Sequence, residues 1–421
     1  MNATSSETVG QLPAAHENRY WSIKARPALR RRAARLASVA GFGVFGILLP
    51  VIAVAGLVTA RMVDRRRRVV RVSTGPTHDI AKATYREFFD VYPTAVYSPL
   101  AKSLELGCFA RYPADAPSLE IGIGDGVFAA ALRAHTGAHV SLGTDLIYET
   151  LASARMRAVH ETVFVSDAQD IPAPAGSLST VLMNNLMHHL PDRERVTAEV
   201  HRVLRPGGMF LFTDNLVGWN EFMWEYRLLR RILPAAWLRA YGRRKLWFLA
   251  QSLLASPAYW AECAARSDWE VVEITSLVSR TGMTVASVFE FLNLKFGQPT
   301  RPALRRLLGR GALARHLTGT MARIVDGLID MDEQLCEDEG AAFLFVALRK
   351  RGASPVPPGP PPLACPQCKR PFEGRYSCAG CERTYPVVEG IPVLLTYADR
   401  LPWLQEYLAY QQRQSPRDFV T

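Results

Sequence analysis

Short apolar stretches that run into acidic residues recur through the middle of this 421-residue chain. The first begins at Ser118 and reads S-L-E-I-G-I-G-D-G-V-F, so that a strand-like segment carrying Glu120 opens into a glycine-rich turn. Later stretches have the length and composition of buried strands: 139–144 before Asp145, 163–168 with Asp167, 179–183, and the segment after the Arg-Pro-Gly-Gly turn that reaches Asp214. Helix-like segments separate them, which predicts an α/β fold with a doubly wound parallel sheet. Ligands of such sheets bind beyond the carboxyl ends of the strands.

The glycine-rich turn is the most specific of these patterns. Glycines between a strand and a helix allow tight backbone geometry, and they let a ligand approach the main chain. A dinucleotide-binding turn has the spacing G-x-G-x-x-G, which would place its third glycine at position 127, where this chain has Val127. The observed spacing is E-x-G-x-G-x-G instead. On its own, it is also compatible with a glycine-rich turn that binds nothing.

Together these segments resemble the class I S-adenosylmethionine (SAM)-dependent methyltransferases, in particular the small-molecule enzymes that include the ubiquinone and menaquinone C-methyltransferases. The resemblance covers about residues 78–280 and returns at the strand 341–348. It implies a Rossmann-like methyltransferase sheet with SAM as cofactor. It also implies the residues that contact this cofactor, which are Glu120, Gly122, Gly124, Gly126, Asp145, Asp167 and Ala168, with Asn184 lining the methyl end.

The methyl sulfonium of this cofactor is already activated, so the protein mainly has to align an acceptor and exclude water. A base is required only if the acceptor carries a proton on its reacting atom. The candidates for that base are His188, His189, Asp214, Tyr92 and Tyr97. A structural role is the competing interpretation for the two histidines. For the two tyrosines, the competing interpretation is that they pack in the core or line the entrance to the cofactor site.

Two long helix-like insertions interrupt the predicted domain, at 215–268 and 279–340, and residues 269–275 form the sixth predicted strand. Insertions at this edge of the fold usually cover the acceptor pocket, so we expect them to set substrate choice. The first insertion interleaves aromatic residues with arginines. This composition is typical of a membrane interface, of a surface that stacks nucleic acid, or of a helical lid with solvated arginines.

The net charge of +11 is concentrated in one part of the chain. Twelve basic residues and one acid lie between Lys24 and Arg71, whereas the other 38 basic and 38 acidic residues cancel. These basic residues bracket an uncharged run of 24 residues at 37–60, which is long enough to cross a bilayer. The pattern indicates a membrane segment beside anionic lipid, and it counts against nucleic acid as a partner.

The sequence alone does not decide the membrane topology of this segment. Both flanks are basic, so the charge asymmetry selects no orientation. Pro50 lies near the middle of the run and permits a break, so a re-entrant helix with both flanks on the cytosolic side competes with a simple span. A signal peptide is the third reading, but 36 residues precede the run and its length exceeds that of a signal core.

A cysteine-rich module closes the chain. Residues 353–362 hold six prolines and are predicted to form a stiff linker. Beyond it, two C-x-x-C pairs fit tetrahedral zinc–thiolate coordination, with two disulfides as the alternative: Cys365, Cys368, Cys378 and Cys381. The stretch 365–395 resembles the zinc-ribbon family of methyltransferase activator subunits, which implies a structural Zn²⁺ and a partner in cis for the catalytic domain. Four thiolates leave no open coordination position, which also argues against catalysis by the metal.

These expectations divide the chain into a basic segment (1–36), a membrane segment (37–60), a methyltransferase domain (74–351), the linker, a zinc ribbon (363–400) and a tail (401–421). The resulting hypothesis is a membrane-associated SAM-dependent methyltransferase whose partners are membrane lipid and a hydrophobic small-molecule acceptor. Its catalytic domain is expected on the cytosolic side, as at a bacterial inner membrane. A methyltransferase of RNA or protein, activated by the zinc ribbon, is the alternative. A membrane scaffold with an inactive fold is a third possibility.

Overall fold

The computed structural model describes residues 53–92, 94–190, 192–216, 222–237, 255–293, 311–355, 363–402 and 404–405. Pro50–Ala398 form one compact unit, and a second unit combines Met1–Leu49 with Asp399–Thr421. All interactions described below lie within the first unit. The predicted segment 1–36, the membrane segment up to residue 52, most of the linker, and the tail beyond 405 lie outside the described residues.

A seven-stranded sheet forms the centre of the molecule. Its strands are β1 (Ser118–Ile121), β2 (Val140–Asp145), β3 (His160–Val165), β4 (Leu178–Met183), β5 (Leu204–Asn215), β6 (Trp269–Ser279) and β7 (Ala341–Lys350). The strand order is β3-β2-β1-β4-β5-β7-β6. The first five strands are parallel, as predicted, whereas β7 runs antiparallel to both β5 and β6. No direction was predicted for β7, which enters the sheet between β5 and β6 and runs opposite to both of these neighbours.

The predicted strand boundaries shift by a few residues. β3 begins at His160 and ends at Val165, so that Asp167 and Ala168 follow the strand rather than belong to it. The predicted Arg205–Gly208 turn lies inside β5, where Leu178 pairs with Leu204 but Thr180 pairs with Met209. The turn is thus accommodated as a bulge between two hydrogen-bonded parts of the strand.

Helices cover both faces of the sheet. They are α1 (53–67), α2 (Pro76–Val91), α3 (Tyr97–Phe109), α4 (Val127–Thr136), α5 (Tyr148–Met156), α6 (Arg193–Val203), α7 (Trp224–Ile232), α8 (Pro257–Arg266), α9 (Arg280–Asn293) and α10 (Ala312–Glu339). One hydrophobic core joins the strands to α6 and α8. On the other side, Phe109 of α3 packs edge-on against Phe128 of α4 and Phe345 of β7, each at 5.3 Å between ring centroids. Both faces are therefore buried, as a doubly wound sheet requires.

The described residues of the second insertion include the helices α9 and α10. Helix α10 packs against β6, α2 and α3. The carboxylate of its buried Asp332 accepts hydrogen bonds from the main-chain amides of Val278 and Ser279, both at 2.9 Å. Because Val278 has a left-handed backbone (φ 58°), this acid holds the strained end of β6 in place. The insertion is thus an integral part of the folded domain.

Helix α1 lies along α10. Its buried face includes Ala60 and Val63, and a Cβ atom added to Gly327 of α10 would lie 2.5 Å from a methyl group of Val63. Buried Asp330 of α10 forms ion pairs with Arg67 of α1 and with Lys82 of α2. The basic residues after the uncharged run therefore neutralise acidic side chains of the folded domain in part. This pairing is separate from the expected contact of the flank with lipid.

Two further ion pairs fasten this flank, from Arg66 to Glu339 at 3.5 Å and from Arg71 to Glu337 at 3.4 Å. Within the described part of the chain, no helix is both long and apolar enough to cross a membrane.

The cysteine-rich module packs against the outer strand of the sheet. Its short strands are β8 (Ser377–Cys378), β9 (Arg383–Thr384), β10 (Val387–Val388) and β11 (Ile391–Pro392). Immediately after β11, Val393 pairs in parallel with Val165 of β3, and the Leu394 amide donates to the Val165 carbonyl at 2.8 Å. Lys369 forms ion pairs with Asp170 at 2.7 Å and with Glu199 of α6 at 3.3 Å. The module therefore covers the β3 edge of the domain.

Candidate functional site

The glycine-rich turn has the left-handed backbone that its sequence predicts. Gly122, Gly124 and Gly126 have φ values of 75°, 52° and 75°. A Cβ atom at Gly122 would lie 2.6 Å from the Leu186 side chain, and one at Gly126 would lie 3.2 Å from the Ala154 backbone. A Cβ atom at Gly124 would meet no described atom within 4 Å. The turn is thus packed at both ends and open in the middle, where a ligand can approach the main chain.

One of the predicted acids, Asp145, borders this open space, and a second, Asp167, follows the neighbouring strand. Asp145 at the end of β2 accepts a hydrogen bond from the Gly124 amide at 3.0 Å through one oxygen, and from the Ile147 amide at 2.9 Å through the other. Burial raises the pKa of Asp145, and these amide bonds oppose the rise. Asp167, after β3, accepts from the Gln169 amide at 2.8 Å and from the Tyr397 hydroxyl at 3.4 Å. Each carboxylate oxygen has a further lone pair available for a ligand.

The third predicted acid, Glu120, is buried within β1. Its Oε2 atom lies 2.8 Å from Nε2 of His160 at the start of β3. His160 was not predicted from the sequence. The available signal was Gly143 in the interior of β2, because a glycine inside a strand often marks a place where another group approaches the backbone closely. A Cβ atom there would lie 2.9 Å from the His160 ring. The predicted contact of Glu120 with the cofactor stays a prediction, and one of its oxygens already has a partner in the protein.

The paired histidines lie in a short 3₁₀ segment, Met187–His189, after β4. Burial, assisted by His189 and the cations Lys102 and Arg193, lowers the pKa of His188 to about 2. Burial also lowers the pKa of His189. Because a useful base has a pKa near the working pH, neutral His188 is a poor proton acceptor. The role of either histidine as a base remains a prediction, and this electrostatic environment disfavours it for His188.

Asp214, another candidate, is completely buried in β5. Its Oδ1 atom accepts from Arg193 at 3.3 Å and its Oδ2 atom from the Trp260 indole at 3.1 Å. Burial raises the pKa of Asp214 to about 6, although Arg193 opposes the rise. The carboxylate is thus held between α6 and α8, where it links these helices to the sheet.

The two tyrosines differ in their surroundings. The half-buried ring of Tyr97 packs against Phe343 of β7, with 6.1 Å between centroids. Burial raises the pKa of the Tyr92 hydroxyl strongly, and the nearby acids Asp125, Glu105 and Glu120 add to the rise. Tyr92 therefore stays protonated and can donate a hydrogen bond, but it is a poor general base.

Sequence reasoning also missed a polar cluster beside Asn184. Lys102 Nζ in α3 donates to Asn184 Oδ1 at 2.7 Å and to Glu105 Oε2 at 2.8 Å, and Asn184 Nδ2 donates to the same Glu105 oxygen at 3.0 Å. The available signal was that Lys102 and Glu105 are the only charged residues in an otherwise apolar helix. Asn184 lies directly after β4, as predicted, on the same edge of the sheet as the glycine turn.

The four cysteines of the C-terminal module converge. Their sulfur atoms all lie within 4.8 Å of one another. The sulfurs of Cys368 and Cys378 are 3.4 Å apart and those of Cys365 and Cys381 are 3.9 Å apart. A disulfide needs about 2.05 Å, whereas the thiolates around a tetrahedral zinc ion are each about 2.3 Å from the metal. The four sulfurs thus form a four-cysteine cluster that could hold one metal ion.

Comparisons with known proteins agree with this geometry. Residues 119–212 match the family described as "Methyltransferase domain". The chain is 36% identical over 112 residues to the fatty-acid O-methyltransferase of Mycolicibacterium smegmatis, which is 26% of this chain and 41% of that protein. It is 34% identical over 106 residues to the 27-O-demethylrifamycin SV methyltransferase of Amycolatopsis mediterranei, covering 24% and 38%. The chain thus spans about two fifths of the length of these relatives.

A solved SAM-dependent methyltransferase from Thermotoga maritima also matches, with 15% identity and a TM-score of 0.37 over 65% of this chain and 99% of that chain. The strand order and the sequence matches, rather than this likeness, identify the central part of the chain as a class I methyltransferase domain.

The open space at Gly124 allows a sharp test of cofactor binding. Replacing Gly124 with Ala adds a methyl group into the crevice, so we expect the affinity for S-adenosylhomocysteine to fall by at least about tenfold in calorimetry. Gly176→Ala is the matched control, because Gly176 has a similar backbone (φ 67°), and a Cβ atom there also meets no described atom within 4 Å. Both variants carry comparable backbone strain, so their melting temperatures should be similar. Equal ligand affinities in the two variants would contradict the assignment.

Proposed function

We propose that this chain, which carries a class I methyltransferase domain, is a membrane-associated SAM-dependent methyltransferase that acts on a hydrophobic small molecule or lipid. The observation that carries the proposal is the direct fastening of α1, whose described part includes the last residues of the uncharged run 37–60, to α10 of the domain through Asp330. Such a run would hold the crevice close to a membrane surface, where a lipid-soluble acceptor is concentrated.

The crevice fits the adenosyl part of SAM. The adenine amino group and the ribose hydroxyls are hydrogen-bond donors. The carboxylates of Asp167, which follows β3, and of Asp145, which ends the neighbouring strand β2, are acceptors. Gly124 leaves room for the ligand beside its main chain. Dinucleotide-binding sheets place an acid on the ribose in the same way, at the end of the second strand.

SAM, when bound, would supply an activated methyl group on its positively charged sulfur. The protein then has to orient the acceptor and keep water away. Buried helices α2 and α3 pack beside the crevice and α10 packs on both of them, which provides this shielding.

Helix α7, in the first insertion, supports contact with a membrane surface. Leu228 and Ile232, four residues apart, are 47% and 65% exposed, and Trp237 beyond the helix is 70% exposed. Basic residues accompany them at Arg230 and Arg231 in the last turn. Apolar side chains beside basic ones are typical of helices that lie in the headgroup region of a bilayer. The relatives named above, whose names refer to a fatty acid and to a rifamycin, favour a small-molecule acceptor.

The acceptor class can be read from the fate of a labelled methyl group. We expect that full-length protein, incubated with native membranes and methyl-labelled SAM, transfers label into the organic extract. Gly124→Ala protein should transfer much less, because its crevice is obstructed. Label that enters RNA or protein instead would favour the alternative function with a macromolecular acceptor. An absence of transfer to every fraction would contradict the proposed activity.

We further propose that the four-cysteine cluster holds one structural Zn²⁺ that stabilises the module on the β3 edge. The sulfurs of Cys365, Cys368, Cys378 and Cys381 provide a complete tetrahedral set. The module is then positioned to place the Tyr397 hydroxyl on Asp167. In this account, the zinc acts through folding, since four thiolates leave no position for a substrate.

Metal analysis of the full chain should find about one zinc per molecule. A Cys365→Ser, Cys381→Ser variant should lose the metal and melt roughly 5–10 °C lower, because binding of a structural zinc is coupled to folding. Cys263→Ser is the control, since Cys263 lies in α8 outside the cluster. Unchanged stability after complete loss of zinc would exclude the structural role.

A further inference from the structure

A cavity lies away from the crevice, between α6, α8 and the start of β6. Its volume is about 470 Å³, which is within the range of small-molecule sites. Strand β6 runs antiparallel to β7, and β7 runs antiparallel to β5, so Trp269 at the start of β6 lies at the amino edge of the parallel strands. The glycine turn and Asn184 lie at the carboxyl edge. The cavity is therefore separate from the proposed cofactor site.

Aromatic side chains form a rigid floor for this cavity. Trp260 and Trp269 line it and are at most 2% exposed. The indole N–H of Trp260 donates to Asp214 at 3.1 Å, and the Trp269 ring packs edge-on against His201 with 5.0 Å between centroids. The half-buried ring of Tyr259 packs edge-on against Trp260 at 5.1 Å. Because these rings are held in place, an apolar ligand that packs on them loses little free energy to ordering of the protein.

The charged side chains around this floor favour a positively charged ligand. Three of them line the cavity, which are Glu194, Arg266 and Asp268. Arg266 is already paired with Glu262 at 3.3 Å. Within the described residues, Glu194 forms no ion pair, and Asp268 approaches only His201, with 3.9 Å between Oδ2 and Nε2. Two acids of the cavity thus have no strong basic partner in this part of the chain, so the local potential is negative.

The neighbouring cations are engaged elsewhere. Arg193 is paired with buried Asp214 at 3.3 Å. Lys350 Nζ donates to the carbonyls of His201 and Leu204 at 2.7 and 2.8 Å, at the carboxyl end of α6, where the helix dipole is negative. Burial lowers the pKa of His201, and Lys350 adds to the lowering, so this histidine is neutral at pH 7. A neutral His201 does not compensate the Asp268 carboxylate.

We propose that this cavity binds a small organic ammonium compound, with its apolar body on the aromatic floor and its ammonium group beside the Asp268 carboxylate. Carboxylates and aromatic rings both stabilise ammonium groups. Asp268 directly precedes Trp269 in the chain, so the acid and one of the rings occur at the same end of the cavity. On α6, the cavity is lined by Ala198, whose single methyl group leaves space for a ligand. This site does not depend on the proposed cofactor.

The test compares tryptamine with tryptophol, which share an indole body and differ in carrying an ammonium or a hydroxyl group. We expect full-length protein to bind tryptamine with a Kd below about 1 mM in calorimetry, and tryptophol at least about fivefold more weakly. Asp268→Asn should weaken tryptamine binding about fivefold and change tryptophol binding less than about twofold, because the lost carboxylate contact is partly exposed. Asp115→Asn is the matched control, since it makes the same change at an exposed acid outside the cavity.

The variant Ala198→Phe provides a second, independent measurement. Its phenyl group fills the cavity from an exposed position of α6, so the fold should persist, as checked by circular dichroism. We expect this variant to lose binding of both tryptamine and tryptophol. A Kd of the wild-type protein for tryptamine above about 1 mM, equal binding of the two ligands, or unchanged tryptamine binding in either cavity variant would overturn the proposal.

Discussion

The hydrogen bond from the Gly124 amide to the Asp145 carboxylate is the constraint on which the rest of the site depends. It ties the turn after β1 to the end of β2, and so fixes the open side of the turn toward the crevice. The same carboxylate holds the Ile147 amide at the approach to α5. One acidic side chain thereby organises two loops at the carboxyl edge of the sheet, which is where doubly wound sheets bind their ligands.

Segments from both ends of the described chain pack against the domain that contains the central sheet. At one end, α1 is fastened to α10 by the ion pair of Arg67 with buried Asp330. At the other end, the cysteine-rich module pairs Val393 with the outer strand β3 and brings Tyr397 to Asp167. The helix α1 at one end and the cysteine-rich module at the other thus contact the same domain, to which we propose that they bring anchoring and stabilising roles.

Much of this architecture could be predicted from sequence because it depends on local patterns. Strand-like runs that reach Asp145 and Asp214, and a turn with glycines at alternate positions, predict the parallel strands and their binding edge. The reversed strand β7 could not be read in this way, since its direction depends on how two long insertions pack. The polar cluster of Lys102, Glu105 and Asn184 was not predicted for a related reason, because its hydrogen bonds join residues about 80 positions apart. The only sequence signal for His160 was Gly143, a glycine in the interior of strand β2.

The central claim is that this crevice binds SAM and its demethylated product S-adenosylhomocysteine rather than a dinucleotide. Calorimetric titration of the wild-type protein with S-adenosylhomocysteine, and separately with NAD⁺, tests it most directly. The account predicts one binding site per chain for S-adenosylhomocysteine and no measurable binding of NAD⁺. Binding of NAD⁺, or an absence of any binding of S-adenosylhomocysteine by folded protein, would contradict it.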